Sequence, residues 1–397
     1  MDRPLHAALL PPGPHLFRAL AEALDGGPAL CPLSPDLPEP ALRDLLDALA
    51  PDAIRTPDGL APYRPRGGHA PVHPDTAVLI ATSGSTGAPK FVELSAAALR
   101  HSATGTLTRI GAAPGDRWLC CVPTSHISGV QVLVRALVAG TDPIILPRFD
   151  PAAVTTAAEA TATAAAMGGP HVSLVPTQLR RLLDAGADLS RLGAILLGGA
   201  AAAPALLAEA RDRGGRVFTT YGMSETCGGC VYDGTPLPGT RVALGDDGRI
   251  RLAGPSLFTG YRLRPEETAE ARDGDWFLTR DLGVLEDGRL RVRGRLDDVI
   301  NTGGEKVVAA EVAAALSHHP KVRDVVVIGR PDPEWGERVT AVVVPGASGV
   351  PKLPELRALV RETMPAYAAP HELELVDAIP LLASGKPDRE RLRSSFC

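Results

Sequence analysis

Two of the chain's lysines stand in loops whose composition suits the binding of anions. Only five of the forty-one basic residues are lysine. Lys90 ends a segment rich in glycine, serine and threonine, residues 82–90, and Lys386 lies in a second glycine-containing segment near the C-terminus. An ammonium is a compact point charge on a flexible stem, which a planar guanidinium does not always replace. These two lysines are therefore candidates for chemistry on an anionic substrate.

The 82–90 segment can wrap a polyphosphate, because the backbone amides of a glycine-rich turn point at an anion and hydroxyls add further donors. It does not match the P-loop pattern, in which glycine precedes the lysine and serine or threonine follows it. Here Pro89 precedes Lys90 and Phe91 follows it, so no hydroxyl is placed for Mg²⁺ in that manner. Nucleotide binding is favoured, and a flexible linker stays the alternative.

A further candidate is the segment 221–226, which directly follows a predicted strand. The ring of Tyr221 can stack on a nucleobase, and the carboxylate of Glu225 offers the hard oxygen that Mg²⁺ prefers. Later in the chain, Asp281 can accept both hydroxyls of a ribose, and Arg295 can donate to sugar or phosphate oxygens. Taken singly, these residues also fit a strand-end turn and surface turns.

Cys227 and Cys230 have the spacing of half a zinc site. No second C-x-x-C or histidine pair completes it, and six cysteines in 397 residues do not make a disulfide scaffold. We therefore interpret the two cysteines as small residues that line a pocket wall.

Strands and helices alternate around the candidate segments. Residues 76–81 predict a short buried strand that runs into the glycine-rich loop, and residues 95–109 predict a helix with Ser95 as its N-cap. Strand, glycine loop and helix recur at residues 194–203 and 217–226. This alternation indicates an α/β architecture.

The pattern changes in the last third of the chain. Residues 242–293 combine short strands with turn dipeptides such as Asp-Gly, which is typical of antiparallel β structure. After Arg295 a compact α+β unit is predicted, so a boundary is expected at residues 294–298. Its predicted elements are helices at residues 309–318 and 353–364 and strands at residues 324–329, 338–344 and 372–376.

Length and composition predict a globular protein of two domains, because 397 residues exceed what one hydrophobic core usually serves. The net charge of −5 comes without a basic block, which argues against nucleic acid as a partner. No apolar stretch approaches the roughly 20 residues that span a bilayer. The N-terminus lacks the pattern of a signal peptide. A cytoplasmic location without membrane insertion is expected, and a homodimer is left open.

Together and in this order, the candidate segments resemble the motif series of the adenylate-forming superfamily, which includes the acyl-CoA synthetases. The resemblance runs from about residue 76 to residue 389. The segments that carry it are residues 82–90, 197–201, 221–226, 279–283 and 294–298 and the surroundings of Lys386.

The resemblance implies an α/β fold in two domains. A large multi-sheet N-terminal domain with a β-rich subdomain would span residues 1–294. A hinge at residues 295–298 would connect it to a small, mobile α+β domain at residues 299–397, which agrees with the boundary expected from the pattern.

The family's functional residues carry over to matching positions of this chain. The implied catalytic residues are Lys386, Glu225 and His126, of which Glu225 would also hold Mg²⁺. The implied contacts to ATP or AMP are Ser83, Ser85, Thr86, Gly87, Lys90, Gly198, Gly199, Ala200, Tyr221, Gly222, Ser224, Thr226, Asp281 and Arg295. The implied hinge is Asp297, the implied CoA tunnel contains Gly303 and Gly304, and the implied acid pocket contains Ser125, His126 and Ser128.

Two stretches, residues 121–135 and 221–234, resemble the o-succinylbenzoate–CoA ligases of high-GC bacteria. Ser125 departs from the wider family, which often has histidine there, and Phe91 stands where glycine is common. Neither departure removes a charge that the chemistry needs, although Ser125 alters the acid pocket.

The acid that this resemblance implies carries two carboxylates. The one that is not activated must meet a cation or several hydrogen-bond donors. The candidates are Arg135, Arg180, Ser125 and Ser128, and each arginine also fits a solvated position on a helix face.

The resemblance implies an ATP-dependent carboxylic acid–CoA ligase that acts through an acyl-adenylate, with ATP, Mg²⁺ and CoA. The favoured acid is o-succinylbenzoate, which would place the reaction in menaquinone synthesis. Because a carboxylate is already ionised near pH 7, no general base is required, and His126 is interpreted as shaping the acid pocket. The alternatives are another aryl or acyl acid, a carrier protein loaded in trans, and nucleotide binding without ligase chemistry.

Overall fold

The structure, a computed structural model, describes residues 3–68, 70–83, 89–164, 169–382 and 387–394. The chain divides into two compact units. The first unit consists of Met1–Gly199, Ala210–Arg241 and Leu252–Phe277, and the second of Ala200–Glu209, Val242–Arg251 and Leu278–Cys397. The expected hinge at residues 295–298 lies within the last stretch of the second unit, and the domain limits inferred from the sequence stay a prediction.

The helices have the following bounds. They are α1 Pro14–Leu24, α2 Glu39–Leu49, α3 Ala96–Ile110, α4 Ile127–Ala139, α5 Pro151–Ala164, α6 Pro176–Asp184, α7 Pro204–Asp212, α8 Pro265–Glu270, α9 Ala309–Leu316, α10 Leu353–Arg361 and α11 Arg389–Ser394. Short 3-10 helices occur at Leu189–Arg191, Ser224–Thr226, Leu296–Asp298 and Ala366–Ala368. No helix in the described ranges has both the length and the apolar character that crossing a membrane requires.

The strands have the following bounds. The first thirteen are β1 Leu5–Ala8, β2 Ala29–Pro32, β3 Ala53–Thr56, β4 Gly59–Pro62, β5 Thr76–Ser83, β6 Pro89–Ser95, β7 Trp118–Cys120, β8 Ile144–Ile145, β9 His171–Leu174, β10 Ala194–Leu197, β11 Arg216–Met223, β12 Gly228–Tyr232 and β13 Thr235–Pro236. The others are β14 Arg241–Leu244, β15 Arg249–Ala253, β16 Gly260–Tyr261, β17 Arg272–Asp273, β18 Trp276–Glu286, β19 Arg289–Arg295, β20 Val299–Thr302, β21 Glu305–Val308, β22 Val322–Asp332, β23 Gly336–Pro345 and β24 Glu372–Leu375.

The first sheet of the first unit has the strand order β16-β6-β5-β2-β1-β3-β4. Its inner strands β5, β2, β1 and β3 are parallel, and antiparallel β6 and β4 flank them. Phe91 on β6 packs into the sheet's core with Leu5, Cys31 and Leu79. The phenylalanine at this position therefore fills the core.

The second sheet of the first unit has the order β13-β12-β11-β10-β9-β7-β8. Strands β8, β7, β9, β10 and β11 are parallel. Strands β9 and β10 are buried at every residue, as expected for a parallel sheet that is covered on both faces. Because β7 pairs with β8 on one side and β9 on the other, the strand order reverses there. In open α/β sheets, ligands bind beyond the carboxyl ends of the strands at such a reversal.

Helix α3 begins where the sequence predicts it, with Ser95 as the N-cap. The Oγ of Ser95 accepts a hydrogen bond from the N–H of Ala98 at 3.1 Å. An N-cap oxygen satisfies one of the backbone donors that the first turn of a helix leaves open.

We expect Ser95→Ala to lower the free energy of unfolding by about 1 kcal/mol, because Ala98 loses its acceptor. Urea-induced unfolding of the variant and of Ser95→Asp would measure the loss. The aspartate keeps a side-chain oxygen at the N-cap and is expected to stay within a few tenths of a kcal/mol of the native chain. Equal destabilisation by both substitutions would contradict the capping role.

The second unit contains the α+β arrangement that the sequence predicts after Arg295. Its sheet has the order β21-β20-β23-β22, and β24 pairs with β23 in parallel. Residues of β20–β23 and of helices α9 and α10 form its core, among them Val312, Val327, Ala341 and Leu356. The predicted helices and strands of this region are confirmed to within a few residues at their ends.

The first 70 residues contain four strands, β1 to β4, that were not predicted from the sequence, because each is only four residues long. The helix predicted after β11 is only the three-residue 3-10 helix Ser224–Thr226, after which the chain returns as antiparallel β12. Cys227 has a φ of 52°, and a Cβ on Gly222 would lie 2.0 Å from the carbonyl oxygen of Gly228. The chain therefore reverses tightly, and only glycine at residue 222 permits this approach.

Candidate active site

Three candidate segments follow the carboxyl ends of neighbouring parallel strands. The stretch that contains His126 comes after β7, Gly198 and Gly199 come after β10, and Tyr221 and Glu225 stand at the end of β11. Because β7, β9, β10 and β11 are parallel neighbours, these segments meet at one edge of the second sheet. The structure thus brings together segments separated by about a hundred residues.

The acid-pocket candidates lie at the start of α4. Ser125 and His126 are half-buried and Ser128 is exposed, and His126 is the N-cap of the helix. A Cβ on Gly129 would lie 2.3 Å from the carbonyl oxygen of Pro123, so the first turn of α4 packs directly on the preceding loop. This close packing fixes where the two serines stand relative to β7.

The glycines after β10 approach the neighbouring strands closely. A Cβ on Gly198 would lie 2.4 Å from the Oγ1 of Thr220, and one on Gly199 would lie 3.1 Å from the side chain of Val175. The N–H of Gly198 donates to the carbonyl oxygen of Leu174 at 3.0 Å. Gly199 is exposed, so this turn presents bare backbone. Such a surface allows a flat ligand to lie against it.

Ala200, which follows these glycines in the chain, is exposed and belongs to the Ala200–Glu209 stretch of the second unit.

The turn after β11 is held by Thr226. Its Oγ1 accepts from the N–H of Met223 at 2.9 Å and donates to the carbonyl oxygen of Gly228 at 2.7 Å. Ser224 and Thr226 are buried, whereas Tyr221 and Glu225 are half-buried. The two predicted side-chain ligands of the turn are therefore more accessible than the residues that shape it.

Cys227 and Cys230 lie in the same region, and both thiols are buried and free. Burial raises the pKa of Cys227, and it raises the pKa of Cys230 to about 12. A zinc ion binds thiolates, and this buried environment disfavours the deprotonated thiolate that would be the ligand.

Glu225 is a suitable residue for the Mg²⁺ that the resemblance implies. The hydroxyl of Tyr261 donates to its Oε1 at 3.0 Å, and the N–H of Phe258 donates to its backbone oxygen at 2.8 Å. Mg²⁺ in nucleotide enzymes is usually held by one or two carboxylates and the substrate's phosphates. A single oriented, half-buried carboxylate fits that use.

Lys90 is engaged by an acidic residue that the sequence did not single out. Its Nζ lies 2.5 Å from the Oε2 of Glu267 and 4.2 Å from the centroid of the Tyr261 ring. Arg264 also pairs with Glu267. The hydrogen bonds from Lys90 and Arg264 hold the pKa of Glu267 below its usual range.

Tyr261 was also missed by the sequence analysis. Burial, and next the charge of Glu225, raise the pKa of Tyr261, so its phenol stays protonated and able to donate. It stands 36 residues from Glu225 in the chain, a separation at which no local pattern indicates the contact.

Asp281 and Arg295 are cross-strand neighbours on β18 and β19 in the second unit. The Nε of Arg295 lies 3.9 Å from the Oδ1 of Asp281. Asp297 accepts from the Nε of Arg280 at 2.8 Å and from the Nη2 of Arg295 at 3.3 Å. The hydrogen bond from Arg280 holds the pKa of Asp297 below its usual range.

Gly303 and Gly304 form the turn between β20 and β21. Their φ angles are 58° and 83°, which are typical of the two-residue hairpin turns that favour glycine. A Cβ on Gly303 would lie 2.8 Å from the ring of Trp335. The structure therefore explains both glycines as turn residues, and their place in a CoA tunnel stays a prediction.

The arginine candidates for a second carboxylate have protein partners. Arg135 is only 4% exposed. Its Nη1 donates to the Oγ of Ser173 at 3.2 Å, and its guanidinium lies over Trp118. It is seven residues from Ser128 along α4, about 10 Å by helix geometry. Arg180 pairs with Asp184 one turn along α6, with 3.6 Å between Nη1 and Oδ1. The buried position of Arg135 favours a structural role.

Several predicted site residues lie outside the described ranges. They are Ser85, Thr86, Gly87 and Lys386. Ser83 ends β5, where it pairs with Pro89 of β6.

Two family models match this chain. The model of the AMP-binding enzymes matches residues 16–262, and the model of the AMP-binding enzyme C-terminal domain matches residues 311–386. Together they cover most of both units.

Related proteins with assigned activities match over most of their length. A probable 2-succinylbenzoate–CoA ligase of Mycobacterium tuberculosis is 43% identical over 334 residues, which are 81% of this chain and 85% of that protein. The 2-succinylbenzoate–CoA ligase of Bacillus pumilus is 35% identical over 80% of this chain and 69% of that protein.

Solved structures share the fold. An o-succinylbenzoate CoA synthetase from Bacillus subtilis, in complex with the acyl-adenylate intermediate OSB-AMP, superposes with a TM-score of 0.83 at 27% identity, over 99% of this chain and 88% of that one. An amide bond synthetase from Marinactinospora thermotolerans superposes with a TM-score of 0.86 at 27% identity, over 100% and 90%. The matched sequence models, the 43% identical relative and these folds together establish that the chain belongs to the AMP-binding enzyme family.

Proposed function

We propose that this chain is an ATP-dependent ligase that joins 2-succinylbenzoate to CoA through an acyl-adenylate. The observation that carries the proposal is the 43% identity to the Mycobacterium tuberculosis relative over 81% of this chain and 85% of that protein. The Bacillus subtilis structure that resembles this one holds the adenylate of the same acid. The arrangement of Glu225 and Lys90 in the first unit is consistent with binding a triphosphate.

In the first half-reaction an oxygen of the substrate carboxylate attacks the α-phosphorus of ATP, and the bond to the pyrophosphate oxygen breaks. An anion approaches an anion, so fixed positive charge lowers the barrier more than a base would. We assign Lys90 to the β- and γ-phosphates and Lys386 to the α-phosphate and the carboxylate. A Mg²⁺ ion bound at Glu225 would neutralise charge on the phosphate oxygens.

The bare backbone after β10 and the ring of Tyr221 are proposed to bind the adenine. Asp281 and Arg295 are the proposed partners of the ribose. Gly222, Ser224 and Thr226 are proposed to contact the nucleotide from the turn that carries the proposed Mg²⁺ ligand; their close contacts and the burial of the two hydroxyl residues support a fixed turn.

In the second half-reaction the thiol sulfur of CoA attacks the acyl carbon, the thiol proton is released and AMP leaves. The proposed contacts of the pantetheine arm are Gly303 and Gly304. Asp297 is the proposed hinge, and Lys386 would have to withdraw to make room for the thiol.

The non-reacting carboxylate of 2-succinylbenzoate requires hydrogen-bond donors. We propose that Ser125 and Ser128 supply them at the start of α4, with His126 shaping the wall between them. The positive end of a helix dipole favours an anion there. The buried Arg135 is not part of this proposal.

A mass-spectrometric assay for the CoA thioester tests the proposal. The protein is supplied with ATP, Mg²⁺ and CoA, and with 2-succinylbenzoate or a panel of aryl and fatty acids. We expect a thioester from 2-succinylbenzoate and little from the panel, with AMP and pyrophosphate as co-products. A thioester from another acid alone would replace the substrate and keep the mechanism.

The same assay separates the other acceptors. Adenylate formation without a thioester would point to a different acceptor, such as a carrier protein. An amine is the other acceptor to add, because an amide bond synthetase shares the fold. The absence of both adenylate and thioester with every acid would overturn the ligase proposal.

A further inference from the structure

Tyr261 lies between the two charged groups of the first unit that are assigned to ATP. Its hydroxyl donates to the Oε1 of Glu225 at 3.0 Å. The Nζ of Lys90 stands 4.2 Å from the centroid of its ring. One side chain therefore contacts the proposed ligand of the metal through its polar end and the proposed ligand of the phosphates through its face.

The position of Tyr261 is fixed by its own neighbours. Strand β16 pairs with β6, which places Tyr261 opposite Val92. The N–H of Tyr261 donates to the Oγ1 of Thr268 at 2.9 Å, and the ring packs against Phe258 with centroids 4.9 Å apart. Because the backbone hydrogen bond and the packing against Phe258 fix the ring of Tyr261, the ring is suited to orient other groups.

The next residue, Arg262, anchors the same strand. Its guanidinium is buried and donates to the carbonyl oxygens of Leu49 at 2.7 Å, Ala50 at 3.2 Å and Ala70 at 2.5 Å. These bonds, together with one to the carbonyl oxygen of Pro71 at 3.2 Å, tie this backbone to distant parts of the chain. Tyr261 is therefore tied to the body of the first unit and not to a free loop.

Glu267 forms an ion pair with Lys90 in this structure. Its carboxylate lies 2.5 Å from the ammonium, and it also pairs with Arg264. The Nη2 of Arg264 donates to the carbonyl oxygen of Pro89 at 3.3 Å, directly before Lys90 in the chain. A carboxylate thus stands where an incoming phosphate would have to compete for the lysine.

We propose that Tyr261 is a positioning residue for nucleotide binding: its hydroxyl orients the Glu225 carboxylate, and its ring holds the Lys90 ammonium. Glu267 is then the counter-ion of Lys90 that a phosphate of the nucleotide displaces. This inference rests on the proposed function, because it needs ATP as the ligand. Preorganised charge lowers a barrier without reorganisation during the reaction. The ion pair with Glu267 holds the Lys90 side chain in position while no nucleotide is bound.

The two parts of the proposal predict opposite effects on affinity. Removing the hydroxyl of Tyr261 leaves the ring beneath Lys90 but releases Glu225, so only binding that involves the metal weakens. Removing the charge of Glu267 frees Lys90 from a competitor, so ATP binds more tightly with or without metal. A purely structural role for either residue would weaken binding in both conditions.

Isothermal titration of ATP into the full chain without acid or CoA tests both parts, once with Mg²⁺ and once with EDTA. Tyr261→Phe is expected to weaken ATP binding about tenfold with Mg²⁺, the effect of losing one hydrogen bond to a charged group, and to leave metal-free binding unchanged. Glu267→Gln is expected to tighten ATP binding about threefold or more in both conditions.

Tyr63→Phe is the matched control, because the hydroxyl of Tyr63 donates to the Oδ1 of Asp47 at 2.9 Å elsewhere in the first unit. It is expected to change neither affinity. Equal weakening of Tyr261→Phe with and without Mg²⁺, or no weakening, would overturn the orienting role. If Glu267→Gln binds ATP no more tightly than the native chain does, the counter-ion role of Glu267 is overturned. Failure of the native chain to bind ATP would instead overturn the proposed function.

Discussion

Lys386→Ala is expected to slow adenylate formation by about 10²–10³-fold, the usual cost of removing one charge contact that acts in a transition state. The same variant is expected to convert supplied acyl-adenylate and CoA to the thioester at close to the native rate. The difference arises because the lysine is assigned to the α-phosphate and the carboxylate, whose charges meet only in the first step. Once the adenylate has formed, the attacking group is a thiol.

The residues on both sides of segment 383–386 are held by backbone contacts. On either side of it, Leu381 bridges to Pro387 and the N–H of Asp388 donates to the carbonyl oxygen of Pro380 at 2.8 Å. Arg389 donates to the carbonyl oxygen of Val327 at 2.8 Å. These contacts join residues outside the 383–386 segment, so we expect the variant to fold.

Pyrophosphate release on mixing with ATP and acid measures the first step, and thioester release from supplied acyl-adenylate measures the second. Lys352→Ala is the control, since Lys352 is an exposed lysine of the same unit that precedes α10. It is expected to leave both rates unchanged. Equal losses in both steps for Lys386→Ala would remove the lysine from its assigned role.

Regular elements of the second unit could be predicted because their patterns are local. Helix α9, Ala309–Leu316, shows its apolar face within eight residues. Strands β22 and β23 each contain a continuous apolar run, and turn residues stand between them. Strands β1 to β4 could not be predicted, since each gains its stability from partners elsewhere. Leu5 pairs with Ala29, and His6 pairs with Ala53. Such strands depend on tertiary pairing, which outweighs the weak local preference.

The candidate site divides in the same way. Glu225 could be proposed as a Mg²⁺ ligand from a short segment after a predicted strand. The glycines after β10 were implied by the resemblance to the adenylate-forming superfamily, and the roles of all three residues stay predictions. The contacts of Tyr261 and Glu267 were not identifiable, since 171 residues separate Tyr261 from Lys90 and only the pairing of β16 with β6 brings them together. A sequence motif indicates which residue types are present, whereas the pairing of strands determines which of them are in contact.

Arg135 shows how a candidate cation can be buried by its own helix. It was one of four candidates for the second carboxylate, and helix α4 places it inside the protein beside Trp118 and Ser173. Burial lowers the pKa of its guanidinium, which shows the cost of holding that charge there. A buried cation that already contacts an aromatic ring and a serine hydroxyl is therefore poor evidence for a ligand.

Asp297→Pro is expected to slow thioester formation about thirtyfold relative to adenylate formation, a difference of about 2 kcal/mol between the two barriers. Asp297 is the central residue of the short 3-10 helix Leu296–Asp298. Proline fixes φ near −65° and restricts the residue before it. If the second half-reaction requires a rotation at this point of the chain, the restricted backbone resists it.

The carboxylate of Asp297 also has contacts that proline removes, namely the hydrogen bonds from Arg280 and Arg295. Asp297→Ala removes these contacts and leaves the backbone free, so it is the matched control. Effects that both variants share belong to the lost ion pairs, which are partly exposed and worth little. Only the additional loss of rate in Asp297→Pro, relative to Asp297→Ala, measures the effect of restricting the backbone.

Both variants are compared in the two assays used for Lys386, pyrophosphate release and thioester formation from supplied adenylate. The alanine variant is expected to keep the native ratio of the two rates, whereas the proline variant lowers the second rate selectively. If proline and alanine change the two rates in the same ratio, residue 297 does not act as a hinge, and the movement would have to be sought elsewhere between Gly294 and Val299. A selective loss in the proline variant would mean that the backbone at residue 297 must change conformation between the two half-reactions, whatever acid is activated.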